Sequence, residues 1–290
     1  MVHLAYRRRP AALPYVLRAL WPGRRSGALP PALSASWSGH RADPRELTEY
    51  ARITGLPLGD TLPLLYPLTF GFRLVMAILT HPAFPVPIFG LLQIRNHVRQ
   101  HRPIPAGARL DFATRTAAVR RVDRGAEFDL ATTVRHGDEI AWESVVTILA
   151  RGRFGEPDSP SPLARAPEVP GPIAAEWTLR DADHWRFGRF TGDYNGVHFA
   201  DAYARFFGFH RALYHPPRVL AECLGRLAAG VNGPACFDAW IKGPVPHGAS
   251  VRLHADACAG ARTFALFAEP ERPALVGRLQ ALEHRCRNCC

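Results

Sequence analysis

The alternation of apolar and polar residues along the chain predicts two successive units, each a buried helix followed by antiparallel strands. In the first unit, prolines divide the apolar segment 61–94 into a helix of about Pro67–Thr80 and a strand from about Phe89. Asp43 and Pro44 predict the cap and first turn of a short helix ahead of it. Further strands are predicted where polar and apolar residues alternate, at Arg109–Val119, Ala126–Arg135 and Ile140–Ala150.

The second unit repeats this order after a proline-rich segment. Gly152–Pro172 is too rich in proline to form a regular element, and it predicts a linker. A helix is predicted from Pro216 or Pro217 to Gly230, because apolar residues recur on one face. Strands are then predicted at Cys236–Lys242, Val251–Ala257, Thr263–Ala268 and Leu275–Leu282. Helix followed by strands is an α+β pattern, and two similar halves suggest an internal duplication.

Composition narrows the possible partners. The chain has 290 residues, a formal charge of +11 and a pI near 10. Such an excess of cations favours polyanions: coenzyme A phosphates, an acidic acyl carrier protein, a membrane surface or nucleic acid. Nucleic acid is not expected, because no known binding motif accompanies the arginines. No glycine-rich phosphate loop indicates a nucleotide-binding sheet either.

The amino-terminal segment is basic and interrupted. A helical arm is predicted at about Pro14–Trp21, packed on the body or resting on an anionic surface. Arg18 and Pro22 interrupt any secretory signal, so a cytoplasmic location with free thiols is expected. Residues 74–94 carry no acidic or basic side chain other than histidine, but their prolines argue against a membrane span.

The candidate chemistry lies in the second unit. Gly192–His198 places a carboxylate, a carboxamide and an imidazole within seven residues. Asp193 and His198 are five apart, a spacing that does not put them on one helical face, so a glycine-permitted turn must bring them together. Such a pair, with one water between its members, can move two protons when water is added to or removed from a double bond beside a carbonyl. A helix cap with a nearby histidine is the structural alternative.

The stretch RFTGDYNGVHFADAYARFFGF resembles the signature of the MaoC-like (R)-specific enoyl-thioester hydratases and 3-hydroxyacyl-thioester dehydratases. The resemblance implies a double hot dog fold, with two antiparallel sheets each wrapped around a central helix. It also implies that Asp193 and His198 are catalytic and that Asn195 and Gly192 shape the substrate-binding loop. The expected reaction interconverts (R)-3-hydroxyacyl and trans-2-enoyl thioesters of coenzyme A or acyl carrier protein in fatty-acid metabolism. No metal or cofactor is expected, and a homodimer is possible.

Two departures from the family pattern affect these expectations. Gly196 replaces the family's proline, which loosens the loop. Pro216 stands where the family has a glycine whose N–H polarises the thioester carbonyl, and proline has no N–H. Arg218 and Val219 carry the nearest amides and are the expected substitute donors. A non-catalytic acyl-thioester binding protein and a hot dog thioesterase therefore remain alternatives.

The expected organisation is a basic arm (1–42), a non-catalytic hot dog (43–151), the linker (152–173), a hot dog with the signature (174–282) and a cysteine-rich tail (283–290). Only the second hot dog carries an Asp/His pair, so one active site per chain is expected. A polar cluster after the first apolar segment is predicted to be an exposed strand face and not a second site; its members are Arg95, Asn96, His97 and His101. The tail cysteines Cys286, Cys289 and Cys290 are predicted to be reduced and disordered.

Overall fold

The computed structural model describes residues 2–19, 32–169, 171–229, 231, 233–258 and 260–282. Its strands are β1 (Val2–Tyr6), β2 (Leu33–Arg41), β3 (Leu91–Gln100), β4 (Arg109–Val122), β5 (Gly125–His136), β6 (Glu139–Arg151), β7 (Ile173–Thr178), β8 (Ala235–Ile241), β9 (Ser250–Cys258), β10 (Ala261–Phe267) and β11 (Leu275–Ala281). Its helices are α1 (Leu13–Ala19), α2 (Pro44–Thr54), α3 (Tyr66–Leu79), α4 (His184–Thr191), α5 (Asp201–Phe206) and α6 (Pro216–Arg226). Short 3-10 turns lie at Pro162–Arg165 and Gly196–His198.

The described strands form one continuous sheet in the order β1-β2-β4-β5-β6-β3-β8-β11-β10-β9-β7. Apart from β1, the two halves have the same topology. In the first half, β2 is followed by a helix-containing crossover and then by β3 to β6; in the second, β7 is followed by such a crossover and then by β8 to β11. Each half has the spatial order first, third, fourth, fifth, second. This identity of order supports the internal duplication that the sequence suggested.

Both halves contribute helices to the core, and α3 and α6 differ in how they are buried. All residues of α3 are buried, including the charged Arg73, so this helix lies fully inside its sheet. The second helix, α6, is amphipathic: Val219, Leu220 and Cys223 are among its buried residues. Pro217 in its first turn suits a helix start, because the missing N–H would have had no intrahelical partner. Its predicted end, Gly230, lies outside the described residues; the helix ends at Arg226.

The halves meet where β3 pairs antiparallel with β8. Arg95 and His97 on β3 both contact the Asp238 carboxylate of β8, at 2.7 and 3.0 Å. Asn96 is fully buried and His101 contacts Glu143 at 2.7 Å. The prediction of an exposed strand face is therefore wrong for this cluster, because Arg95 and His97 are partly buried against β8 and His101 against β6.

The amino-terminal segment differs from the predicted arm. Leu33–Arg41 is a strand of the first hot dog, since β2 pairs with β4. The first strand, β1, adds to β2 in parallel. The predicted arm helix appears as Leu13–Ala19, and its expected last residue, Trp21, lies outside the described residues, as does the cysteine-rich tail. No helix in the described ranges is long and apolar enough to cross a membrane.

Buried Arg73 of α3 ties this segment to the second half. Its guanidinium donates to the Pro10 carbonyl at 2.6 Å and to the Arg189 carbonyl in the last turn of α4. Burial, and then the charge of Arg9, lower the pKa of Arg73 to about 10. The side chain remains a cation at neutral pH, and it lies at the helix end where the macrodipole favours positive charge.

Candidate active site

The signature loop begins where α4 ends. Gly192 follows Thr191 with φ +71°, a left-handed conformation that closes the helix and that glycine adopts without penalty. A Cβ atom at this position would lie 3.0 Å from Cγ of Arg73. Gly192 therefore turns the chain toward the cavity while allowing the buried arginine to approach. The next residue, Asp193, donates its backbone N–H to the Thr191 hydroxyl at 3.1 Å.

The loop brings Asp193 and His198 together, as the motif predicted. Asp193 Oδ2 lies 3.5 Å from His198 Nε2, and the two side chains are only 13% and 10% exposed. His198 Nδ1 lies 2.9 Å from the Leu213 carbonyl, which can only accept, so Nδ1 carries a proton. In the neutral imidazole, Nε2 is then a lone pair facing a carboxylate. At this separation the two acceptors can share a proton, and both can contact the same water molecule beside them.

The environment keeps Asp193 ionised. Burial alone would raise the pKa of its carboxyl, but the neighbouring His198 imidazole and the Asn195 N–H outweigh burial and lower it to about 2. The Asn195 N–H donates to Asp193 Oδ1 at 3.0 Å. Asp193 is therefore a base at neutral pH, with one oxygen held by the loop and the other turned to His198.

Asn195 has two separate tasks in the loop. Its Oδ1 accepts from the Val197 N–H at 3.3 Å and so caps the 3-10 turn that carries His198. Its Nδ2 has no hydrogen-bond partner in the ranges that the structure describes, and the residue lines the same cavity as Asp193 and His198. The side chain therefore presents donors to that cavity.

His215 is a site residue that the sequence analysis did not identify. Its ring stacks on His198 with centroids 4.0 Å apart and planes at 21°. Its Nε2–H donates to the Asp193 carbonyl at 3.1 Å. Burial, and then the charge of His198, lower the pKa of His215 far below its ordinary value, so this imidazole is neutral. It supports both members of the pair, because it stacks on the His198 ring and donates a hydrogen bond to the Asp193 backbone.

The start of α6 corrects one expectation. Neither the Arg218 nor the Val219 amide is free, because both donate to the His215 carbonyl, at 2.9 and 3.2 Å. The Arg218 side chain is also occupied: it pairs with Glu222 at 2.9 Å and lies over the Tyr214 ring. Val219 lines the cavity with its apolar side chain. The absence of an N–H at Pro216 is thus not compensated within the first turn of this helix.

A cavity of about 390 Å³ extends from the pair between the two halves. Its apolar wall includes Phe72, Met76 and Leu79 of α3, from the half without the signature. Its solvent-facing end carries four basic side chains and one acidic side chain, namely Arg124, Arg151, Lys242, Arg272 and Glu269. The site therefore combines an apolar chamber, a proton-transfer pair and a cationic mouth.

Comparison with known proteins identifies relatives of this arrangement. The chain is 33% identical over 190 residues to 3-hydroxyacyl-thioester dehydratase X of Mycobacterium tuberculosis, covering 64% of this chain and 67% of that protein. It superposes on the crystal structure of HtdX from the same organism with a TM-score of 0.73 and 26% identity, covering 86% and 100% of the two chains. A MaoC-like dehydratase from Phytophthora capsici shares the fold at a TM-score of 0.66, with 18% identity and coverage of 89% and 97%. No family model matches the chain.

Proposed function

Since this chain belongs to the MaoC-like 3-hydroxyacyl-thioester dehydratase family, with a double hot dog fold, we propose that it is a hydro-lyase of fatty-acid metabolism. It interconverts (R)-3-hydroxyacyl and trans-2-enoyl thioesters. One observation carries the assignment of the site: the Asp193 carboxylate faces the His198 imidazole across 3.5 Å at the wall of an acyl-sized cavity.

The pair handles the protons of one water molecule. In hydration, the hydroxyl of that water bonds to C3, and its proton, carried by Asp193 and His198, ends on C2; dehydration reverses both transfers. No other reactant is consumed. His198 enters with its proton on Nδ1, fixed by the Leu213 carbonyl, so Nε2 is the nitrogen that exchanges protons with the water. Positioned acid–base groups contribute about 10²–10⁴ in rate.

The thioester carbonyl must be polarised for C2 to accept or release a proton. We assign this task to the Asn195 carboxamide, because Asn195 lines the cavity, its Nδ2 has no hydrogen-bond partner among the described residues, and its Oδ1 is held by Val197. A side-chain amide in this position takes the role that the backbone of Pro216 cannot fill. Gly192 contributes through the turn that aims the loop.

The cationic mouth favours a substrate that carries phosphate, as do both coenzyme A and the prosthetic arm of an acyl carrier protein. Arg124, Arg151 and Lys242 have no ion-pair partner among the described residues, so their charge is available to a ligand. The apolar wall from α3 receives the acyl chain. The homodimer and the cytoplasmic location stay predictions.

The test is the hydration of enoyl-CoA substrates of several chain lengths, followed at the thioester absorbance. Asp193→Asn and His198→Ala should each reduce turnover by at least about 10². Asp256→Asn and His210→Ala are the matched controls, because both residues are exposed and neither lines the cavity. Turnover that survives both changes to the pair would refute the assignment.

One observation supports a second candidate, a non-catalytic acyl-thioester binding protein: the N–H that the family uses is missing at Pro216 and the following amides are occupied. Losing such a donor costs about 10²–10³ in rate. Tight acyl-CoA binding without turnover at any chain length would establish this candidate. Release of free thiol would instead indicate a thioesterase and contradict both.

A further inference from the structure

A second cluster of chemically active side chains lies outside the Asp193–His198 pair. Asp181, His184 and His247 each offer one ligand atom, and these atoms lie within 4.8 Å of one another. Asp181 and His184 flank the start of α4, and His247 lies in the loop between β8 and β9. Two segments distant in sequence thus converge on one point.

His247 is the unusual member of this cluster. It is 2% exposed, and neither of its ring nitrogens has a hydrogen-bond partner. His184 Nδ1 is likewise buried without a partner. An unsatisfied buried polar group costs about 1–3 kcal/mol, and such groups are rare in folded proteins. Three such nitrogen atoms close together indicate a bound ligand. It would accept either an electron pair or a hydrogen bond from the imidazoles.

The backbone holds this arrangement in place. The His247 N–H donates to the Ala212 carbonyl at 2.9 Å, and Leu179 exchanges hydrogen bonds with Gly248 and Ala249 at 3.0 and 2.9 Å. The His247 ring packs on Tyr214 with centroids 4.6 Å apart. The imidazole therefore cannot turn outward to find water, whereas the Asp181 side chain is 58% exposed and free to adjust.

We propose that Asp181, His184 and His247 bind one divalent transition-metal ion of the zinc class. Two neutral imidazoles and one carboxylate are ligands that zinc prefers. Bonds of about 2.0–2.1 Å in a tetrahedral site place ligand atoms roughly 3.3 Å apart. Asp181 Oδ1 and His247 Nδ1 are already 3.6 Å apart, so a small movement of the exposed carboxylate completes the geometry.

The His247 imidazole is available as a ligand. Burial, and then the charge of Arg218, lower the pKa of His247 to about 4, so the ring is neutral and able to coordinate at pH 7. Arg218 itself is neutralised by Glu222. Arg211 Nη2 lies 3.4 Å from Asp181 Oδ2, leaving Oδ1 for the ion.

The ion would cross-link two segments beside the active site. His184 begins the helix that ends at Gly192, and its ring contacts Phe199 directly after the signature histidine, with centroids 5.8 Å apart. Joining His184 to His247 would fasten this helix to the β8–β9 loop. The expected effect is stabilisation of the loop and not participation in the proton transfers.

The test is zinc titration of the metal-stripped full-length chain by calorimetry, in a Cys286→Ser/Cys289→Ser/Cys290→Ser background that removes the thiols of the tail. One equivalent should bind and raise the Tm. Asp181→Asn, a change at an exposed side chain, should weaken binding at least tenfold, and His247→Gln should abolish it with the circular dichroism spectrum retained. X-ray absorption should show nitrogen and oxygen ligands at about 2.0–2.1 Å and no sulfur.

Asp193→Asn separates this site from the cluster of Asp193, His198 and His215, and the absence of sulfur ligands separates it from the cluster of His97, Cys236 and Asp238. The zinc stoichiometry and affinity of Asp193→Asn should equal those of the background protein. Loss of binding in Asp193→Asn, equal binding in Asp181→Asn and the background, or no saturable binding at all would overturn the proposal.

Discussion

Gly196 replaces the proline of the family motif, and the structure predicts what restoring that proline would do. The backbone accepts proline: Asn195 has φ −59° and ψ 124°, the extended conformation favoured before proline, and Gly196 is the first residue of a 3-10 turn. The obstacle is a side chain. A Cβ atom on Gly196 would lie 2.8 to 3.1 Å from three ring atoms of Tyr203. Gly196→Pro should therefore clash with one ring only.

The magnitude follows from two opposing terms. Proline in a compatible backbone stabilises by about 0.4–1 kcal/mol through the unfolded state, whereas overpacking costs about 1–3 kcal/mol. The cost of overpacking is the larger of the two terms, so Gly196→Pro should destabilise the protein by roughly 1–2 kcal/mol. In a Tyr203→Ala background the clash is absent, and the same substitution should stabilise by about 0.4–1 kcal/mol. The coupling between the two sites is then of order 1.5–3 kcal/mol.

The assay is a double-mutant cycle measured by urea unfolding, with hydration turnover recorded for each of the four proteins. The sign of the Gly196→Pro effect should reverse between the two backgrounds. Turnover in the double variant should approach that of Tyr203→Ala, since the proline preserves the turn. If Gly196→Pro destabilises equally in both backgrounds, or stabilises the wild type, then Tyr203 is not the reason for the glycine.

Three further outcomes are expected. Asn195→Ser keeps an oxygen for the Val197 N–H but removes the Nδ2 donor, so kcat should fall about 10²–10³ while KM changes little; unchanged kcat would exclude the carboxamide as the carbonyl donor. The pKa of Asp193 is about 2 when folded and roughly 3.9 when unfolded, so its stabilisation is present above about pH 4 and lost as pH falls toward 2. The Tm difference between wild type and Asp193→Asn should accordingly narrow between about pH 4 and pH 2, and a constant difference would contradict this linkage. Arg151→Glu at the cavity mouth should raise KM for enoyl-CoA several-fold, with a dependence on salt that the exposed control Arg135→Glu lacks.

The fold was largely predictable because its signals are local. The buried helix predicted over Pro67–Thr80 is Tyr66–Leu79, and eight strands, β3 to β6 and β8 to β11, lie within a few residues of the predicted segments. The strands Leu33–Arg41 and Ile173–Thr178 were missed, because each pairs with a strand far along the chain and each is rich in small residues. The pairing of β3 with β8 was missed for a related reason. The polar residues of β3 resemble a solvated face, and the ion pair between Arg95 and Asp238 is a contact between the two halves.

In the candidate site, too, the residues with a local sequence signal were predicted and those that depend on distant contacts were not. Asp193, Asn195 and His198 belong to one contiguous motif, so their type and spacing identify them. His215 is separated from them by a helix, and a histidine before Pro216 resembles an ordinary helix boundary. The occupied amides of Arg218 and Val219 follow from hydrogen bonds to the His215 carbonyl, which only coordinates reveal.

Because both halves lie in one chain, one half can line the acyl chamber while the other performs the chemistry. In a symmetric dimer each subunit must do both. In an assembly of identical subunits each substitution appears twice, so a residue that widens the acyl chamber also alters the copy that performs the chemistry. Here the chamber wall of α3 and the residues of the signature loop are encoded separately. Evolution can thus retune substrate length through one half while the reacting groups in the other stay unchanged.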